Sequence, residues 1–574
     1  MKKFLATVLT LTMLLTLAAI PAATGEETRT PVTFTVFHGD SNTVSNPVQP
    51  GDTEIWPEIQ KIVGDVTLQV EYIVGTEEKS EATLKIAGNS LPDLINPHDA
   101  YNVYKDAGVL VDLAPYVKAG KMPNLVKLYG DTLAMQYNDD GTLYGGYSPF
   151  VAAPAVGYPN AAFWMSREAV KANGNKIITN ATEYFEAIKA FLAAHPVTAD
   201  GTPYIGFSLN PFADFAWVMQ AGDRLVGMHN TGGYYYNPDE GYKAHDREML
   251  PIRYEWAKLL NKYYREGVID PESFSQSDDD YIAKKSSGTL VGYYDELWRV
   301  QWNEMQNLTT NAKYDQLPIP MPLVNEGYPN TYAGLSVTGT MKGLCITTAC
   351  KDIDRAVQFI DDLCREEVMK LWNYGVEGIH YNLEGGKIAY TDEQFTARQK
   401  GGTLSTNGVT YANSDDYYAK TGVWQGFFQC FPRLPSASQW YSDGSGPCTF
   451  SYTDIAMADA VTPEYKAIAE ELGVMSFTQP PFVGDVYLSP YGYGWDIPEP
   501  TDETLMAVKQ QLNDLKPNTY WFKMIMAETD EEFESIYAEF KAAYEAIDYE
   551  LLEDYYTKQC RDRVLISTGV DYNK

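Results

Sequence analysis

Val32-Thr33-Phe34-Thr35-Val36-Phe37 alternates apolar and polar residues, and Val66-Thr67-Leu68-Gln69-Val70-Glu71-Tyr72-Ile73-Val74 does so again with β-branched side chains. A period of two puts one side of each segment in a core, so both are expected to be strands. Polar helical stretches lie between and after them, Glu77 to Ala87 among them. Strand, helix, strand in that order predicts an α/β layer built on a parallel sheet.

Further along, apolar residues recur at helical spacing. Asn180 is placed to cap a helix whose third residue is Glu183, with Phe185, Ile188, Phe191 and Leu192 on one face. A second helix is expected from about Asp352 to Trp372, ending before Gly375, with Ile353, Val357, Ile360, Leu363, Cys364, Val368 and Leu371 inward. A third is expected from about Glu531 to Tyr555, burying Phe533, Ile536, Tyr537, Phe540, Tyr544, Ile547 and Leu551.

The 574 residues include 44 Lys or Arg and 77 Asp or Glu, a net charge of −33. That balance argues against nucleic acid or an acidic membrane surface as partner, since both are bound through cationic side chains. Apolar residues at 45% describe a globular chain, and the length suits two to four folding units or one large two-lobed body. Lys2 and Lys3 precede an apolar run from Phe4 to Ile20, followed by Pro21-Ala22-Ala23-Thr24-Gly25. This is the order of a secretory signal, so residues 1–23 are expected to be a signal peptide and the working protein to be extracytoplasmic. The rest has no apolar run long enough to span a bilayer.

All six cysteines lie in the second half. Cys430 and Cys448 flank a Pro/Ser/Gly-rich loop and are the pair placed for a bridge, the alternative being buried thiols. With no CxxC pair and six histidines, no metal and no cofactor is expected. Asp278-Asp279-Asp280 lacks the alternating ligands of a calcium loop and is expected to be a solvated acidic turn.

Tyr is present 43 times and concentrates in loops with Gly, Trp and Asp: Tyr144-Gly145-Gly146-Tyr147, Gly292-Tyr293-Tyr294-Asp295, Trp424-Gln425-Gly426-Phe427-Phe428 and Pro490-Tyr491-Gly492-Tyr493-Gly494-Trp495. Flat rings beside carboxylates suit a ligand with apolar ring faces and a hydroxyl rim, which describes a sugar. Hydrolase, zinc-protease and phosphate-loop signatures are absent. A pair of carboxylates close in space would need no such signature, so a glycan-active hydrolase stays open as an alternative.

Three stretches carry a family resemblance. The first is Glu78-Lys79, then Lys85-Ile86-Ala87-Gly88-Asn89-Ser90-Leu91-Pro92-Asp93-Leu94 and Gly108-Val109-Leu110-Val111-Asp112-Leu113. The second runs from Trp164-Met165-Ser166-Arg167 to Gly267-Val268-Ile269-Asp270-Pro271-Glu272. The third is Asp352-Ile353-Asp354-Arg355-Ala356-Val357, followed by Asn373-Tyr374-Gly375-Val376-Glu377-Gly378-Ile379-His380-Tyr381. In order and spacing they resemble the extracellular solute-binding proteins (family 1 type) of ABC sugar and oligosaccharide importers, in particular the long subgroup of Gram-positive bacteria.

The resemblance implies an α/β, two-lobed clamshell of the periplasmic-binding-protein type (type II), crossed by the chain more than once. Residues 27–155 plus 340–385 would form the N-terminal lobe. Residues 156–339 plus 386–574 would form the other, with extra C-terminal helices. The implied function is capture of a carbohydrate, an oligosaccharide, in the interlobe cleft, without catalysis, and delivery to the permease subunits by a monomer. A peptide carrier is the other alternative. Two departures stand out: no lipid-anchor cysteine follows the signal, and His195-Pro196-Val197-Thr198-Ala199-Asp200-Gly201-Thr202-Pro203-Tyr204 keeps only Asp200 and the glycine of the family's calcium loop. No calcium is expected there. On this architecture Trp217, Trp298 and Trp424 are the expected stacking platforms, Tyr147, Tyr381 and Tyr487 secondary ring contacts, and Asp93, Asp295 and Glu377 hydroxyl partners. Trp217, in Phe215-Ala216-Trp217-Val218-Met219, also fits a buried helix.

Overall fold

The computed structural model describes residues 29–145, 161–296, Arg299, 318–328, 343–446 and 493–574, apart from short stretches within them. In chain order the strands of its two main sheets and of one hairpin are β1 (Val32–His38), β2 (Val66–Tyr72), β3 (Leu94–Asn96), β4 (Ala161–Met165), β5 (Ile205–Ser208), β6 (Tyr234–Asn237), β7 (Lys243–Asp246), β8 (Leu290–Glu296), β9 (Ile319–Met321) and β10 (Cys345–Ile346).

The opening β-α-β is present. β1 and β2 are parallel, with Phe34 opposite Leu68 and Val36 opposite Val70. The helix Trp56–Val63 between them turns Trp56, Ile59 and Val63 inward. β2 stops at Tyr72, short of the expected Val74, because β1 ends at His38 and gives it no partner beyond; Val74 is 95% exposed. The helix Glu78–Ala87 leads to β3, parallel to β1 on its other side. β10 closes the sheet antiparallel, in the order β10-β3-β1-β2. The second sheet runs β5-β8-β4-β9, with β5 parallel to β8 and both β8 and β9 antiparallel to β4.

Each sheet has its own core. The first gathers residues from Phe34 to Leu143 and again from Leu344 to Tyr441. The second gathers Ala161 to Leu323 and then Val508 to Cys560. The described chain therefore passes between two bodies three times. The first body reaches further than the expected 340–385: Ala397, Leu404, Tyr411, Tyr417, Phe427, Phe428 and Tyr441 pack into the core of β1 and not into the second lobe. The C-terminal helices Glu503–Leu515, Pro517–Met526, Asp530–Glu545 and Glu550–Thr568 cover the second core, into which Trp521, Phe533, Phe540 and Tyr544 are buried. Each such ring contributes roughly 1.5–3 kcal/mol on leaving water.

Asn180 accepts from Glu183 N and caps the helix Ala181–Ala194, as its position predicts. Two long helices are each broken. The 352–372 segment is Ile353–Leu363 and Glu366–Tyr374, split at an extended Arg365. Glu366 and Glu367 sit in the first turn of the second piece, where carboxylates favour a helix N-terminus. The 531–555 segment divides after Glu545, and the phase slips: Leu551 is 41% exposed while Leu552 is 1% exposed. Asp278-Asp279-Asp280 is the first turn of the helix Asp278–Ser286, with Ser277 and Asp280 forming a capping box. Cys430 is a free thiol buried among Phe427, Phe428 and Phe431, so it forms no bridge; Cys448 lies outside the described residues. No helix of the described residues is long and apolar enough to cross a membrane.

Candidate functional site

Where the chain leaves each sheet tells which end carries the site. Gly145, the last described residue before the first crossing, lies against the start of β10: a Cβ there would stand 3.0 Å from Cys345 Sγ and 3.4 Å from the Gly343 carbonyl. Cys345 pairs with Ile95, toward the C-terminal end of β3. In the second sheet the chain enters at the start of β4, opposite Glu296 at the end of β8, and leaves from β9, whose Met321 pairs with Phe163. Both passages thus start and finish at the C-terminal ends of the parallel strands. In open α/β sheets ligands bind at such ends, where the strand order reverses, and β1 between β2 and β3 is that reversal point.

At this end of the first sheet, Gly39 N donates to the Asn96 carbonyl at 2.9 Å, so the loops after β1 and β3 touch. A Cβ on Gly39 would lie 2.9 Å from that oxygen, closer than any side chain allows. Glu78, first residue of the next helix, binds both loops. Its Oε1 accepts from Ser41 N and Oγ at 2.7 Å, its Oε2 from Asp99 N at 3.0 Å, and His98 Nδ1 lies 2.9 Å from Oε2. His98 Nε2 faces Asp40 at 3.8 Å, and the residue sits at φ 38°, a left-handed conformation that a non-glycine adopts at a cost. Burial opposes its charge, but Asp40 and Glu78 outweigh burial and raise its pKa above 6.5. For Glu78 burial likewise opposes the charge, and the bonds from Ser41 and His98 prevail, lowering its pKa. His38, buried beside the charge of His98, falls to about 4 and is neutral. Asp40, Glu78 and His98 hold ligand atoms within 4.8 Å of one another, the donor types of a metal site. The oxygens of Glu78 already accept from Ser41, His98 and Asp99, so the group reads as a hydrogen-bonded clasp.

The matching end of the second sheet is built around Asp295, which is 0% exposed. Lys285 Nζ lies 2.6 Å from its Oδ2, Asn210 Nδ2 donates to Oδ1 at 2.7 Å, and Arg299 Nε stands 3.3 Å from Oδ1. Arg299 also pairs with Asp278, and its guanidinium is 6.0 Å from the ring of Trp217. Burial raises Glu296 to about 8 against the pull of Arg224. Asp270, of the Gly267–Glu272 motif, accepts from Ser208 Oγ at 2.9 Å, tying β5's end to the short helical turn Pro271–Phe274 that Asp270 caps.

Of the expected contact residues, Trp217 and Asp295 are brought together through Arg299. Asp295 spends both oxygens on Lys285, Asn210 and the Glu296 amide, so its geometry is that of a support and not of a free hydroxyl partner. Asp93 precedes β3, at the opposite end, where its carboxylate accepts from Thr35 N and Oγ at 2.8 and 2.7 Å and joins two strands. Tyr381 is 5% exposed and packs edge-on against Tyr374 at 5.9 Å, its ring filling the first core. Glu377 is exposed, in a turn where Gly378 N donates to the Tyr381 carbonyl. Trp424 is half-buried at φ 52°, edge-on to Trp372; Phe427, three residues on, lies 5.6 Å from the ring of His38. Trp298, Tyr147 and Tyr487 lie outside the described residues. Asp200, in the segment compared with a calcium loop, spends its carboxylate on Thr198 and Thr202. His98, Asn210 and Arg299 escaped the sequence reading: each is a lone polar residue with no spacing to link it to the rest; Glu78 stood in the first motif, where nothing marked it as the group that joins the loops.

Two α/β bodies joined by three passages and presenting strand C-termini toward the same junction define a two-lobed ligand-binding protein. The chain belongs to the bacterial extracellular solute-binding proteins, whose family model matches residues 58–375. It is 23% identical over 300 residues to the fructooligosaccharide ABC transporter substrate-binding protein FusA of Streptococcus pneumoniae serotype 4 (strain ATCC BAA-334 / TIGR4). That match covers 48% of this chain and about half, 52%, of the relative. Among solved structures, a solute-binding protein from Bifidobacterium longum infantis described as binding HMO superposes with a TM-score of 0.61 at 14% identity, over 94% of this chain and 99% of that one. FusA from S. pneumoniae in complex with kestose superposes with a TM-score of 0.57 at 17% identity, over 92% and 99%. These likenesses establish the common two-lobed fold.

Proposed function

We propose that the protein is the extracytoplasmic binding component of an ABC importer. It takes up an oligosaccharide between the two strand-end faces and passes it, chemically unaltered, to the membrane permease. The observation that carries this reading is the convergence of both crossover ends on the C-termini of β1, β3, β5 and β8, with Trp217 and the Asn210–Asp295–Arg299 group on one side and the His98–Glu78 clasp on the other. Trp217 serves as a stacking platform, with Trp298 and Trp424 as further ones and Tyr147 and Tyr487 as secondary rings. The relatives that bear names of this kind, FusA and the HMO-binding protein, support the ligand class. Residues 1–23 direct export, and the protein acts as a monomer.

Closure is a hinge motion, and the permease recognises the closed form because ligand contacts both lobes only in it. A glycan panel tested by thermal shift on the protein lacking residues 1–23 checks the reading, since a ligand of the folded state raises the melting temperature by mass action. Oligosaccharides should raise it and be recovered intact by mass spectrometry. Cleaved glycan would point to a hydrolase, and a shift with short peptides alone would replace the ligand class.

A further inference from the structure

Resting on that reading, we infer that the oligosaccharide is uncharged: the site discriminates against uronate- or sialate-type sugars. The basis is the pairing of its cations among the described residues. At the second sheet's end Lys285 is held by Asp295, Arg299 by both Asp278 and Asp295, and Lys284 by Asp270 at 2.8 Å. At the first sheet's end the imidazole of His98 is flanked by Asp40 and Glu78. Each of these cations is already engaged by a carboxylate of the protein. A ligand carboxylate brought to either face would have to displace one of these partners or be desolvated unpaired, and both outcomes are unfavourable. The net charge of −33 acts in the same sense at longer range by repelling anions from the entrance. Neutral hydroxyls meet no such penalty. They bind to uncharged amide and carbonyl groups and stack their ring faces on Trp217.

Titration calorimetry with matched pairs tests this: trigalacturonate against its methyl ester, and sialyllactose against lactose, beside neutral gluco-, fructo- and manno-trisaccharides. A neutral member should bind at least about 100-fold tighter than its acidic counterpart, and its affinity should change less than about twofold between roughly 20 and 500 mM NaCl. Asp278→Asn, which releases one arm of Arg299 on an exposed helix turn, should narrow the ratio about tenfold. Equal or tighter binding of the acidic member, or an unchanged ratio in Asp278→Asn, overturns the inference and leaves the carbohydrate reading standing. Binding of peptides with no sugar bound defeats the carbohydrate reading itself, and the inference with it.

Discussion

The Nδ1 of His98 lies 2.9 Å from Oε2 of Glu78, a contact that joins the loop after β3 to the helix after β2 at the end of the sheet where ligand is expected. Ser41 completes the junction from the loop after β1. Three segments distant in sequence are thereby fixed by one carboxylate.

This junction is pH-dependent in a stated direction. His98 has its pKa raised in the folded state, so its contribution is fully present below about 6.5 and is lost as pH rises through the folded value. Glu78 is lowered, so its contribution is present above about 4.5 and lost as pH falls through its folded value. The clasp is strongest between those limits. The melting-temperature difference between wild type and His98→Gln should be largest near pH 5.5 and shrink toward pH 8; a pH-independent gap would refute the charged bridge. His38, lowered to about 4 chiefly by burial and in part by the charge of His98, runs the other way, losing stability as pH falls from about 6.5; the variant keeps the burial part and loses the part due to His98.

Asp246 is buried beneath the C-terminal helices, where Tyr544 donates to its Oδ2 at 2.7 Å. Burial raises its pKa to about 7 despite that bond. An acid raised in the folded state contributes stability below its ordinary value that fades as pH climbs through the folded one. Asp246→Asn, which keeps the acceptor, should lose less stability than wild type between pH 6 and 8.5, as read from urea midpoints.

Lys285 and Asp295 are both buried in the second lobe. Lys285→Met removes the cation and leaves a buried carboxylate with Asn210, Arg299 and the Glu296 amide, all on Oδ1, a cost of about 3 kcal/mol. The double variant Lys285→Met/Asp295→Leu should recover part of it. Equal losses in single and double variants, by denaturant unfolding, would show that the ion pair is not the source.

Gly39→Ala forces a methyl group against the Asn96 carbonyl. Separating the two loops should lower stability by about 1–3 kcal/mol and weaken glycan binding further than Asp93→Asn does, since Asp93 joins strands at the far end.

Trp217→Ala should weaken glycan binding about 10- to 100-fold with little change in melting temperature. Trp424→Ala should lower the melting temperature as well, because its ring packs against Trp372 in the first core. Identical behaviour of the two would mean that Trp217 is a packing residue.

The β-α-β opening was legible because Phe34 and Val36 alternate with threonines, and Asn180 with Glu183 spelled out a helix start. The segment from Ala397 to Tyr441 was not: its aromatics are spaced for no single element, and only the folded chain reveals that they complete the core of β1. The helix break at Arg365 was masked because apolar residues keep the same period on both sides of it. The lobe-facing polar groups were hidden for a different reason. His98, Asn210 and Arg299 acquire meaning only when strand ends distant in sequence are brought together.

The second core, opened by Ala161, is completed by Trp521, Phe540 and Cys560 near the far end of the chain. During synthesis, the strands that open this body wait for those late helices before its core can close.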